Sequence, residues 1–184
     1  MQKILSIFLL ISSFFSCKKI DDDGFRVYTI KEGKHRSVTK YKTTYDDSFE
    51  IDVIFDENAS YETVDPINQW DVNKLWGVSD CGNRHSENSI RFGWRWNLQN
   101  EAMEIMIYRR MHGNFEFKSL GFVNLGETNT MAMHINHDSY ELCLNGECDT
   151  MARPCSQTFK KYFLYPYFGG DETAPHDITI RIKE

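Results

Sequence analysis

Arg91 and Arg95 stand four residues apart in segment 89–96, where Ile90, Phe92, Trp94 and Trp96 alternate with Arg91, Gly93 and Arg95. That period belongs to a half-buried strand, so both guanidinium groups project from one face, roughly 13 Å apart. They cannot both be buried without partners, which makes them candidates for ligand contact. Trp70 and Trp76 lie in a polar connection with Tyr61 upstream. Aromatic rings on loops stack well on sugar rings and lose little entropy doing so, so these two tryptophans are the second pair of ligand-binding candidates. Hydrolysis of a neutral glycan needs two carboxylates roughly 5–9 Å apart. Glu101 and Glu104 are three residues apart and point to opposite faces of any regular strand. No Gly-x-Ser-x-Gly, phosphate loop or His-Glu-x-x-His occurs. Asp171, Glu172 and Asp177, with the backbone of Gly169 and Gly170, could offer oxygens to Ca²⁺, but their spacing matches no calcium loop, so no metal or cofactor is assigned.

The elements that must position these residues are strands. The chain has 184 residues, enough for one domain, and its 41% hydrophobic content can build a core. Alternation marks strands near 25–30, 49–55, 89–96, 102–111, 115–125, 130–136, 140–144, 147–152, 159–167 and 177–182. His112-Gly113 and Asn145-Gly146 read as hairpin turns. Segment 65–76 reads as a long connection in which Asp65-Pro66 caps a short helix. About ten strands without intervening helices predict an all-β, antiparallel two-sheet sandwich, in which one sheet keeps an outer face free for a ligand. The 21 basic and 27 acidic side chains give a net charge of −6, the wrong sign for a nucleic-acid partner.

Lys3 precedes an uncharged run over 4–16, too short to span a ~30 Å hydrocarbon layer but suited to the apolar part of a signal peptide. In an oxidising compartment Cys81, Cys143, Cys148 and Cys155 form an even set. Cys143 and Cys148 flank Asn145-Gly146 symmetrically, which makes them a non-hydrogen-bonded pair whose Cβ atoms approach closely enough for a disulfide. Cys81 and Cys155 are left to pair or to stay reduced. A zinc site is the competing reading, but no histidine stands at finger-like spacing.

Three segments resemble known families. Phe14-Phe15-Ser16-Cys17 resembles the lipobox of bacterial lipoprotein signal peptides, and Lys18-Lys19-Ile20-Asp21-Asp22-Asp23 is similar to the surface-export tracts of Bacteroidota lipoproteins. The resemblance implies a signal peptide over 1–17, lipidation of Cys17, a tether over 18–24, a domain over 25–184, and membrane attachment at the outer membrane, facing the cell surface or the periplasm. The pattern of 162–182, an aromatic strand, a polar loop and a terminal strand, resembles the closing strands of concanavalin-like jelly rolls of lectins and glucanases. Arg91-Phe92-Gly93-Trp94-Arg95 is similar to the Arg-x-Glu-Leu-Arg strand of jelly-roll alginate lyases. In the same chain order, His134-Ile135-Asn136 stands where those lyases have Gln-Ile-His, and 159–165 where they have a strand that ends in a catalytic tyrosine. That resemblance implies that Arg91 and Asn136 neutralise a uronate carboxylate, His134 removes the C5 proton and Tyr165 protonates the departing oxygen. The expectation is a lipid-anchored sandwich that binds an extracellular glycan without catalysis. A polysaccharide lyase or glycoside hydrolase stands second, and an adhesive protein that binds a surface protein third.

Overall fold

The computed structural model describes residues 20–38 and 41–184, and the leader with Cys17 lies outside the described residues. In chain order the strands are β1 (Arg26–Ile30), β2 (Thr43–Thr44), β3 (Ser48–Phe55), β4 (Asn73–Ser79), β5 (Ser89–Asn97), β6 (Ala102–Met111), β7 (Asn114–Val123), β8 (Asn129–Ile135), β9 (Ser139–Leu144), β10 (Glu147–Ala152), β11 (Lys161–Leu164) and β12 (Ile178–Lys183). They form two six-stranded sheets, β1-β12-β3-β8-β9-β10 and β2-β11-β4-β5-β6-β7, with every pairing antiparallel. This is the β-sandwich that the alternation predicted. Among the described residues no helix is long and apolar enough to cross a membrane.

Alternation in β5 sends Ile90, Phe92 and Trp94 into the core, where all three are fully buried, and leaves Arg91, Gly93 and Arg95 on the outer face. Phe55 and Val53 from β3 and Ile178, Ile180 and Ile182 from β12 fill the same core from the opposite sheet. The two hairpin turns form as expected: His112 and Gly113 have φ of 51° and 82°, Asn145 and Gly146 of 51° and 92°. Positive φ at both central residues matches the right-handed twist of the flanking strands.

The connection 65–76 is shorter than its composition suggests. Only Pro66–Trp70 forms a 3₁₀ turn, capped by the Asp65 carboxylate, which accepts from the Ile67 amide at 3.0 Å. Asn73–Ser79 is an interior strand between β11 and β5. A bulge between Lys74 and Trp76 turns Leu75 and Trp76 to the core together, and this breaks the period-two signal. Trp76, expected to meet a ligand, instead packs against Phe49 and Phe163 with ring centroids 5.5 Å away. It is 2% exposed and cannot stack on a sugar.

All four described cysteines are bridged. Cys143 pairs with Cys148 across the hairpin, their Cα atoms 4.0 Å apart, and Cys81 pairs with Cys155 at 5.8 Å. No thiolate among them is left for zinc. Beside the second bridge, Asp80 is fully buried and accepts from Arg153 at 2.7 and 3.1 Å and from the Tyr140 hydroxyl at 2.9 Å. This polar cluster and the bridge fix the start of the loop between β4 and β5.

The bridges differ in the chain they close. Cys81–Cys155 spans 74 residues and Cys143–Cys148 spans 5, so loop-closure entropy assigns roughly 4–5 kcal/mol to the first and roughly 2 kcal/mol to the second. Urea unfolding of the two double serine variants should show the Cys81/Cys155 pair losing about twice the stability of the Cys143/Cys148 pair; equal losses would contradict the assignment.

Candidate functional site

The outer face of the sheet containing β5 carries a cleft of about 420 Å³. Its floor is built by strand parity: Lys74 from β4, Arg91 from β5, Tyr108 and Arg110 from β6 and Leu164 from β11. Arg36, Tyr41, His85 and Tyr167 stand around it. Among the described residues no carboxylate lines it, although the protein as a whole is acidic. None of Arg36, Lys74, Arg91 and Arg110 makes an ion pair among the described residues.

Arg91 is the unusual member. It is 8% exposed, and its Nε is buried with no hydrogen-bond partner. Burial, reinforced by the charge of Arg110, lowers its pKa to about 10. A cation held this way costs free energy until an anion reaches it. One glycine makes its seat and a second makes room for Val72. A Cβ on Gly77, the cross-strand neighbour of Arg91, would lie 2.2 Å from the Ile90 carbonyl oxygen and 2.6 Å from the Arg91 Cα. A Cβ on Gly93 would lie 2.6 Å from Val72 Cγ1, which packs there beside Met106 and Tyr108.

Lys74 donates to the Val72 carbonyl at 2.7 Å and stands 4.8 Å from the centre of the Tyr108 ring. Burial first, then Arg91 and Arg110, lower its pKa to about 8, with Asp71 acting in the opposite sense. Arg110 donates to the carbonyls of Gly113 at 2.9 Å and Ser86 at 3.3 Å. His85 is held by Tyr162: its amide donates to the phenol oxygen at 2.8 Å, and its Nδ1 lies 2.9 Å from the same oxygen. That oxygen accepts from the amide and shares one further hydrogen bond with Nδ1, which couples the phenol proton to the imidazole. Burial, with Arg91, Arg110 and Arg36, keeps His85 below the usual histidine range, so it is neutral at pH 7. The cleft thus combines fixed positive charge with a neutral imidazole–phenol pair that can accept or donate a proton.

Of the residues expected at a site, Arg91 alone lies on the cleft floor. Arg95 shares its face but is neutralised: Nε donates to Glu104 at 2.7 Å, Nη1 donates to the Trp70 carbonyl at 2.9 Å, and the guanidinium lies 5.1 Å from the Trp70 ring centre. Trp70 is 57% exposed beside a separate apolar hollow with Leu98. His134 is on β8 of the other sheet and bonds Ser48 at 3.0 Å, and Asn136 follows β8 with its carbonyl accepting from Arg153. Neither shares a face with Arg91. Tyr165 borders the cleft, but its ring stacks on Tyr28 at 5.5 Å, and its hydroxyl is buried without a partner, which raises its pKa strongly. The set Arg91, Asn136, His134 and Tyr165 therefore does not converge, because the two sheets separate β8 from β5. Glu172 and Asp177 are engaged elsewhere, the first by the amides of Val64 and Asp65, the second by Lys31, and with Asp171 they form no common oxygen cluster. Lys74, Tyr108, Arg110, His85 and Tyr162 were not expected. The parity of 102–111 carried a signal for Tyr108 and Arg110; nothing local marked His85.

No family model matches the sequence, and no curated protein matches it. Solved structures do resemble the fold. Alginate lyase AlyC3 superposes with a TM-score of 0.60 at 9% identity, over 90% of this chain and 75% of that one. Its complex with dimannuronate gives 0.57 at 8%, over 89% and 74%. Alginate lyase A1-II', a member of polysaccharide lyase family 7, gives 0.58 at 6%, over 89% and 78%. At such identities the likeness establishes the fold, a jelly roll, and no activity.

If the unpaired charge of Arg91 is kept for a ligand, removing it should help the empty protein. Arg91→Met is expected to raise the unfolding free energy by about 1–3 kcal/mol in the absence of ligand; a loss of stability would show that Arg91 is a structural cation.

Proposed function

We propose that the cleft binds an acidic glycan, an extracellular chain whose sugar rings carry uronate carboxylates. The observation that carries this reading is a nearly buried, unpaired guanidinium among three further cations, with no carboxylate among the described residues that line the cleft. A planar carboxylate suits an arginine fork, and binding it there relieves the desolvated charge. Tyr41 and Tyr167 supply ring faces beside the charges. Support also comes from the similar solved structures, which are alginate lyases, one of them holding dimannuronate.

A second reading, cleavage of the bound chain by elimination, is favoured by the His85–Tyr162 pair beside Arg91. In that reaction a base takes the C5 proton, the C4–O bond breaks as a C4=C5 double bond forms, and an acid protonates the departing oxygen.

Calorimetric titration with oligouronates and with neutral oligoglucosides of equal length tests the binding. The uronate should bind and the glucoside should not, and Arg91→Met should weaken binding at least about ten-fold. Proton linkage gives a further signature. In the free protein the Lys74 pKa is about 8, and a bound carboxylate raises it, so the ammonium contribution is fully present below pH 8 and declines as pH rises above it. Affinity should be level from pH 6 to 7.5 and fall between pH 8 and 9.5; a level profile would remove Lys74 from the site. Growth of the ultraviolet absorbance of unsaturated uronate ends would select elimination over binding alone.

The polar tether and Cys17 support placement at the outer membrane through a lipid anchor. Radiolabelled palmitate should enter the full chain in a bacterial host and fail to enter Cys17→Ser; equal labelling of both would defeat the anchor.

A further inference from the structure

β7 is the edge strand of the sheet that carries the cleft, and it exposes two phenylalanines on the cleft side. Phe115 is the cross-strand partner of Arg110 and Phe117 that of Tyr108, both residues of the cleft floor. The intervening Glu116 has the opposite parity and pairs with Arg109, and Lys118 pairs with Asp149 of β10 in the other sheet. Phe115 lies stacked with Tyr108 at 5.9 Å and 11°, and the Arg110 guanidinium is 5.8 Å from its ring centre. The two rings are 57% and 44% exposed. Large apolar side chains on a long edge strand invite unwanted pairing and mark a surface made for an occupant.

We infer that the cleft continues across β6 onto β7, and that Phe115 and Phe117 are stacking subsites for further rings of the same acidic glycan. This rests on the reading of the cleft given above. Three strand spacings separate β4 from β7, roughly 14 Å, so the face from Lys74 to Phe117 is longer than one sugar ring. A chain laid across the strands meets Lys74 and Arg91 first, then Tyr108 and Arg110, then the two phenyl rings. Continuity with the cationic floor is what favours a uronate chain over a protein partner. A purely apolar partner would bring no charge to meet Arg110 beside the Phe115 ring.

The test compares a diuronate with a hexauronate from the same polymer by calorimetry, on the intact protein and on two variants. Phe115→Ala/Phe117→Ala removes the proposed subsites. Phe122→Ala removes a third exposed phenylalanine of β7 whose cross-strand partner is Glu104, outside the cleft. Circular dichroism and the thermal midpoint establish that both variants fold. The intact protein and Phe122→Ala should bind the hexamer about ten-fold more tightly than the dimer, the gain expected from stacking on aromatic faces. In the double variant that gain should vanish while the dimer affinity stays the same. A gain that persists in the double variant, that is absent from the intact protein, or that falls equally for dimer and hexamer, overturns the extension and leaves the cleft reading intact. Failure of the intact protein to bind either oligomer overturns both.

Discussion

Arg91 cannot turn inward and cannot leave its face. Ile90 and Phe92 on either side of it are locked into the core without exposed surface, and a slip of one residue in the pairing of β5 would drive the guanidinium between the sheets and both apolar side chains into water. Gly77 removes the side chain that would crowd it from the neighbouring strand, and Gly93 on its own strand leaves room for Val72. The remaining cleft residues are placed around that fixed charge by register: Tyr108 opposite Arg91 and Arg110 opposite Ser89, both on β6, and Gly77, directly across from it on β4.

Electrostatics separates this charge from the others in the molecule. Four buried or partly buried cations outside the cleft meet a carboxylate: Arg153 meets Asp80, Lys161 meets Asp47, Arg109 meets Glu116, and Arg95 meets Glu104; Arg26, at the edge of the other sheet, does not. Arg95 is the telling comparison, because it shares strand and face with Arg91 but has Glu104 opposite it on β6. At the position opposite Arg91, β6 offers Tyr108. The fold therefore neutralises one end of the face internally and leaves the other unneutralised. Mutual repulsion adds to burial there, and Lys74, Arg91 and His85 all have lowered pKa values. A carboxylate entering the cleft offsets these effects with an opposite charge, so its binding strengthens the protonated state of the groups that receive it.

Much of this was legible in the sequence, for identifiable reasons. The sandwich followed from period-two alternation, the cross-hairpin bridge from Asn145-Gly146 set symmetrically between two cysteines, and the outward direction of Arg91 from the apolar residues flanking it. β4 was hidden because a bulge places Leu75 and Trp76 on the same side, so Trp76 looked like a loop aromatic. The lyase-like set failed for a topological reason. Segments that follow one another in the same order along the chain need not share a sheet, and in this jelly roll β8 pairs with β3 and β9 while β5 pairs with β4 and β6. His85 was beyond local reading, since its place depends on Tyr162, which lies 77 residues away.

That long-range placement bears on how the cleft works. The loop bearing His85 leaves β4 through Cys81 and Gly82, whose φ values are 56° and 69°, and is tied down by the bridge to Cys155, by the buried Asp80 cluster and by the Tyr162 hydroxyl. Lys74, Arg91 and Arg110 stand on interior strands of one sheet. Groups mounted on such elements lose little further freedom when a ligand arrives, so the attraction they supply is not offset by the ordering of loops. The cost was met earlier, in the folding of a sheet that holds like charges close together with no described carboxylate in the cleft lining to offset them.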